Sequence, residues 1–290
     1  VDDILEAVVR WAESEVPIRA LILTSSRAGA GEADEFSDYD LMVVTDDADR
    51  YLASDTWIKG IRPLWVYIKE QFPHGADLIP TRLVIYENGV KVDFSFWNTR
   101  ILRDFVMHGF SGTDDLNRGY RVLMDKDGLA AKLPLPAIKF FEVSKLTEAE
   151  FLSTIHEFWF EVAAIAKYLA RGDLYPAKNR ENGILKDLLL RMIIWNVQAK
   201  NHWTARTHTD GKRMRAWVDD QTLQSLRETY SGFDLRESWK SLTAGMEFFR
   251  KISGETAQLL GYEYPHIVDT AVSGYVVELR RRYCDSPDGK

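Results

Sequence analysis

The chain has 290 residues, 46% of them hydrophobic, enough for the core of two domains or one large one and too apolar for a disordered protein. Its 37 basic and 44 acidic side chains give a formal charge of −7, which argues against broad sequence-independent binding to nucleic acid and suits a small cationic partner better. The lone Cys284 excludes an internal disulfide, no apolar run reaches the length of a membrane span, and the acidic amphipathic start is unlike a signal peptide, so a cytoplasmic protein with no membrane partner is expected.

Leu5, Val8, Val9 and Ala12 recur at helical spacing and predict a first helix over 2–15. The β-rich stretch 18–25 predicts a short buried strand, followed by a loop of small and acidic residues. Further strands are predicted at 39–45, 63–68, 81–86 and 90–97. The last two flank Glu87-Asn88-Gly89, and Asn-Gly between β-rich runs signals a hairpin. A helix around 99–109 and a short strand at 121–125 follow. The pattern changes near Pro134 and Pro136. Thr147 with Glu150 three positions on is a capping-box signature. The helix it opens runs to Arg171 and stops at Gly172, a favoured cap. More helices are expected at about 183–201, 219–230, 235–260 and 266–284. The fold class is therefore α+β: a mixed β-sheet with helices over 1–146 and an all-α domain over 147–290.

Residues i and i+2 of a strand share a face, so Asp38 and Asp40 project together at the head of the second strand. In the last hairpin strand Val92, Phe94 and Phe96 take one face, and Asp93 shares the other with Lys91 and Ser95. If that strand lies beside the second, three carboxylates converge. Such a cluster repels itself and needs a compensating cation. Mg²⁺ fits, because it prefers oxygen ligands and binds a few carboxylates together with substrate phosphates. Spacing alone leaves a second reading open, an acidic turn plus an isolated surface Asp93. Ser25, Ser26 and Arg27, directly after the first strand, offer backbone amides, hydroxyls and a guanidinium to phosphate oxygens, although in isolation they make an ordinary loop. Glu157 and Glu161 lie one helical turn apart and read either as an acidic wall for a polyamine sugar or as a solvated face. The six histidines lack zinc-ligand spacing, and the glycines match neither a P-loop nor a dinucleotide fingerprint.

Taken together, LTSSR (23–27), SDYDLMVV (37–44) and TRLVIYENGVKVDFSF (81–96) resemble the aminoglycoside 6-adenylyltransferases, within the DNA polymerase β-like nucleotidyltransferase superfamily. The superfamily pattern is Gly-Ser, then Asp-x-Asp, then a lone Asp on a later strand. Ser26, Asp38, Asp40 and Asp93 match it, and Ser25 stands where the family has glycine. A position that needs positive φ disfavours that replacement. The resemblance continues through EFW (157–159), AKYLAR (166–171), LLRMIIW (189–195) and GKRMRAWV (211–218), and is looser over 54–80 and 176–186.

The resemblance implies transfer of AMP from ATP-Mg²⁺ to a hydroxyl of an aminoglycoside, with streptomycin the leading acceptor, and release of pyrophosphate. It implies Asp38, Asp40 and Asp93 as metal ligands and Ser25, Ser26, Arg27, Lys167 and Lys212 as nucleotide contacts. Two carboxylates compete for the role of general base, Asp93 close to the metals and Glu157 on the capped helix, with Glu157 favoured because a metal-bound carboxylate is a weakened base. Glu157, Trp159 and Asp173 become acceptor contacts, in a helical domain that closes the cleft. Two alternatives stay open: the same chemistry on another acceptor, including a protein side chain, and a nucleotide-binding homologue without catalysis. The oligomeric state is not legible.

Overall fold

Apolar side chains three and four apart give α1 (Asp3–Ser14) one buried stripe of Ile4, Leu5, Val8 and Ala12, and this stripe packs against a sheet. The structure is a computed structural model and describes residues 3–29, 33–110, 116–136 and 144–285. The chain divides into two compact units, Val1–Phe140 and Phe141–Lys290. The expected boundary at 146/147 falls at the N-cap of a long helix in the second unit, and residues 137–143, just before it, lie outside the described residues.

In the first unit the elements after α1 are β1 (Ile18–Thr24), β2 (Tyr39–Thr45), α2 (Ala48–Ala53) and α3 (Thr56–Ile61). Then come β3 (Leu64–His74), β4 (Asp77–Tyr86), β5 (Lys91–Trp97), α4 (Thr99–His108) and β6 (Tyr120–Asp125). Among the described residues the strands form a six-stranded sheet of order β3-β4-β5-β2-β1-β6. Every neighbouring pair is antiparallel except β2 and β5, which run parallel. Strand alternation splits the core in two. Leu21, Leu23, Leu41, Val43, Phe94 and Phe96 face α1, while Ala20, Ile22, Met42 and Val44 face Ile101, Leu102 and Phe105 of α4.

The Asn-Gly hairpin forms as its residues predict. Asn88 and Gly89 have φ of 62° and 75°, the left-handed sense that a tight β-turn demands. The other hairpin is longer than its sequence suggested. β3 continues to His74 and β4 begins at Asp77, where only 63–68 and 81–86 were expected to be extended. Pro73, Pro80 and the Lys69-Glu70-Gln71 run mask the strand signal; Pro73 lies on the edge strand β3, and Pro80 on β4 one residue before its pairing with β5 begins at Thr81. The edge strand β3 leaves Trp65, Val66, Ile68 and Phe72 exposed. The short helices α2 and α3 also went unread, since six residues are too few for a periodic signal.

The second unit is helical: α5 (Glu148–Arg171), α6 (Leu174–Arg180), α7 (Lys186–Lys200), α8 (Asp220–Glu228), α9 (Leu235–Leu260) and α10 (His266–Tyr283). The capping box is complete, with the Thr147 amide donating to Glu150 Oε2 at 2.9 Å and the Glu150 amide to Thr147 Oγ1 at 3.3 Å. Gly172 ends α5 with φ 76°. The helix expected from 183 begins earlier, because a π-helical turn over Glu181–Leu185 joins α6 to α7. Pro176 sits in the first turn of α6, where a helix accepts it. Phe158 stacks on Phe249 with ring centroids 3.6 Å apart at the centre of this core. No helix among the described residues is long and apolar enough to cross a membrane.

Candidate active site

The parallel pairing of β2 with β5 sets Asp40 beside Asp93, on the face opposite Leu41 and Phe94. Asp38 lies two positions before Asp40, and Lys91 two before Asp93. The Lys91 ammonium donates to Asp38 Oδ2 at 2.6 Å and to Asp93 Oδ2 at 3.0 Å. All three carboxylates gather at one end of the sheet, as strand alternation predicts. Lys91 was seen to share Asp93's face, but its role as the bridge between two carboxylates was not read. The Lys-x-Asp alternation was the available signal.

The group is short of positive charge. Burial, then repulsion by Asp93 and Asp38, pushes Asp40 up to about 6, against a hydrogen bond from the Ser25 hydroxyl and the attraction of Lys91. Burial raises Asp93 as well, with Lys91 opposing. Burial works against the charge on Lys91, yet its hydrogen bonds to Asp38 and Asp93 outweigh that and hold it above its ordinary value. One oxygen remains unsatisfied: Asp93 Oδ1 is buried without a hydrogen-bond partner.

Ser25 opens a single 3₁₀ turn, Ser25–Arg27, at the end of β1. Its φ is 61°, the left-handed region that favours glycine. The expectation of strain at this position is therefore met, and the Ser25 hydroxyl on Asp40 offsets it. The Ser25 carbonyl accepts from the amides of Ala28 and Gly29, both at 3.1 Å. Gly29 and Gly119 back the turn: a Cβ on Gly29 would lie 2.7 Å from the Arg118 carbonyl, and one on Gly119 2.7 Å from Gly29 Cα. Ser26 is exposed at the tip of the turn.

Arg27 is engaged within its own loop. Its Nε donates to the Ser37 carbonyl at 2.7 Å and its Nη2 to the Asp34 carbonyl at 3.2 Å. Its guanidinium also lies 4.0 Å over the Tyr39 ring. It therefore fastens the loop that leads into Asp38.

The chemistry of the donor set fits a divalent cation. Three carboxylates on one side, one with an orphaned buried oxygen, and an ammonium already lodged between two of them describe a cation-seeking site. As placed, no three acidic, imidazole or thiol groups among the described residues close around one ion-sized point, and Lys91 lies between Asp38 and Asp93.

The residues expected from the second unit are placed within that unit as follows. Glu157 is exposed on α5, and Lys167, Asp173 and Lys212 are exposed too. Glu161 is buried and accepts from Arg180 Nη1 at 2.6 Å, so it is a structural carboxylate. Trp159, expected at the acceptor, is instead fully buried: its Nε1 donates to Tyr264 Oη at 3.2 Å and its ring meets Phe158 edge-on at 5.5 Å within the core of this unit.

A family model described as Streptomycin adenylyltransferase matches residues 1–279. A protein named Aminoglycoside 6-adenylyltransferase from Campylobacter jejuni is 25% identical, over 99% of this chain and 98% of that one. Its namesake from Bacillus subtilis (strain 168) is 27% identical, over 91% and 92%. A crystal structure of an aminoglycoside 6-adenyltransferase from Bacillus subtilis aligns over 97% of both chains at 24% identity, with a TM-score of 0.47.

Proposed function

This chain belongs to the streptomycin adenylyltransferase family, and on that premise we propose that it transfers AMP from ATP to a hydroxyl of an aminoglycoside, streptomycin first among candidates, and releases pyrophosphate. The observation that carries the reading is the register of β2 on β5, which brings Asp40 against Asp93 with Asp38 beside them in a chain of this family.

Asp38, Asp40 and Asp93 are the residues that would hold Mg²⁺, which in such a site neutralises charge on phosphate oxygens. The Ser25–Arg27 turn lies at the same end of the sheet, and its hydroxyls suit phosphate oxygens. Arg27 contributes by fixing the loop of Asp38. Lys167 and Lys212 supply positive charge for the nucleotide, and Asp173 meets an amino or guanidino group of the acceptor. In the reaction the acceptor oxygen attacks the α-phosphorus. The bond from that phosphorus to the bridging oxygen breaks, and pyrophosphate departs with the electron pair. The acceptor's proton passes to a carboxylate, which we assign to Glu157.

The test is a pyrophosphate-release assay with ATP, Mg²⁺ and a panel of aminoglycosides, followed by mass spectrometry. A streptomycin product heavier by one AMP supports the reading. A product heavier by one phosphate refutes the reaction class, and turnover only with another acceptor refutes streptomycin.

A further inference from the structure

Lys91 is positioned differently from an ordinary surface lysine. It leaves β5 on the same face as Asp93, two residues away, and reaches back to lie between Asp93 and Asp38 at 3.0 and 2.6 Å. Asp38 precedes β2 and Asp93 lies on β5, and the ammonium bridges their side chains. Its side chain is 32% exposed, which leaves its four-carbon stem free to swing. One positive charge is also too few for the site. Asp40 is held by a neutral hydroxyl, and Asp93 Oδ1 has no partner.

We propose that Lys91 is an internal counter-ion that occupies the cation position of the nucleotide-free protein and yields it on loading, its ammonium passing to a phosphate oxygen of the incoming nucleotide. This inference rests on the metal-triad reading above. The reasoning is electrostatic. A divalent ion held by Asp38 and Asp93 would compete for the gap with an ammonium that already contacts both. Without nucleotide the displaced ammonium loses two charge-assisted hydrogen bonds and gains only water. With nucleotide it gains a phosphate oxygen. Metal alone is therefore bound weakly, and metal and nucleotide reinforce each other reciprocally. The carboxylates in turn remain held together while the site waits.

The experiment is a titration of Mn²⁺, followed by calorimetry and electron paramagnetic resonance, into wild type and Lys91→Met, each with and without a non-hydrolysable ATP analogue. In Lys91→Met, Mn²⁺ alone is expected to bind about tenfold tighter or more, since a competing positive charge within hydrogen-bonding distance has gone. The enhancement of Mn²⁺ affinity by the nucleotide is expected to shrink by about the same factor. Lys91→Gln, neutral but still able to donate, repeats the measurement where the methionine variant is unstable. A variant that folds only when Mn²⁺ is present supports the inference equally. Failure of both variants to fold even with saturating Mn²⁺ makes Lys91 a structural residue and overturns it. Wild type that binds Mn²⁺, with variants that bind it no tighter, overturns the role of Lys91 alone. Wild type that binds no Mn²⁺ in either state overturns the metal triad itself.

Discussion

Both units bury charge, and they do so in opposite ways. In the helical unit Lys178 meets Glu181 at 2.7 Å, with Ser231 completing the ammonium's shell and Ser241 donating to the second Glu181 oxygen at 2.5 Å. Asp269 likewise takes two bonds from Arg250, both at 2.6 Å, and others from Ser273 and Tyr264. In both networks each carboxylate oxygen has a donor, while the neighbouring buried Lys186 rests on the Thr229 carbonyl at 2.7 Å and the Tyr230 ring. At the sheet's end three carboxylates share one lysine, and an oxygen of Asp93 has nothing. A balanced network needs no visitor and specifies how helices pack. A deficit costs stability until a ligand fills it, and is therefore the better marker of a site.

The comparison can be broken most severely at Asp40. Asp40→Asn is expected to cut pyrophosphate release by ~10³-fold or more, because charge stabilisation around the transferring phosphoryl is lost. The fold should survive intact by circular dichroism. Near-normal turnover would reduce the deficit to an acidic turn. Next comes Glu157, an exposed acid of the otherwise balanced unit. Glu157→Gln should lower kcat by about 10²–10⁴-fold with nucleotide affinity unchanged. A rise in aminoglycoside KM alone would make it a binding residue. Glu181 tests the opposite case. Glu181→Ala strands a buried ammonium and should cost about 3–5 kcal/mol in urea denaturation, while kcat of the folded fraction stays near wild type.

Two smaller effects sharpen the contrast. Asp40 titrates near 6 in the fold, above its ordinary 3.8, so the folded state holds its proton more tightly than the unfolded state does. Ionising it therefore removes stability as pH rises through about 6. Metal-free Asp40→Asn should melt above wild type at pH 8, with the gap closing as pH falls toward 4; a gap independent of pH would contradict the assignment. Ser25 gives the smallest shift. Ser25→Ala keeps the strain of the positive φ and loses the hydroxyl, whereas Ser25→Gly loses the strain as well as the hydroxyl. The glycine variant should be more stable than the alanine variant by about 1 kcal/mol. The reverse order would mean that the turn is not strained.

Period-two alternation and Asn-Gly made the Asp40–Asp93 meeting legible, because both act through backbone geometry that sequence encodes directly. The capping box and Gly172 marked α5 for the same reason. What stayed hidden depends on which partner a long side chain chooses. Arg27 and Lys91 each had several acceptors within reach, and only the folded loop decides between them. Trp159 was misread because an indole on an amphipathic helix looks alike on either side of the core boundary. The long outer hairpin was hidden by Pro73 on the edge strand and by Pro80, which β4 holds just outside its pairing with β5.

The sheet order also sets a timetable for the growing chain. β1 pairs on one side with β2, close in sequence, and on the other with β6, roughly a hundred residues later. Such distant pairings pay the entropy of a long loop before any hydrogen bond repays it. A nascent chain that has released β5 can already set Asp40 against Asp93. It cannot yet seat Gly29 on Gly119, so the turn that carries Ser25 lacks its backing until the residues preceding β6 leave the ribosome. The acidic half of the site is thus assembled before the half that steadies it, and ribosome-stalled chains ending before and after residue 125 should differ in the proteolytic resistance of that turn.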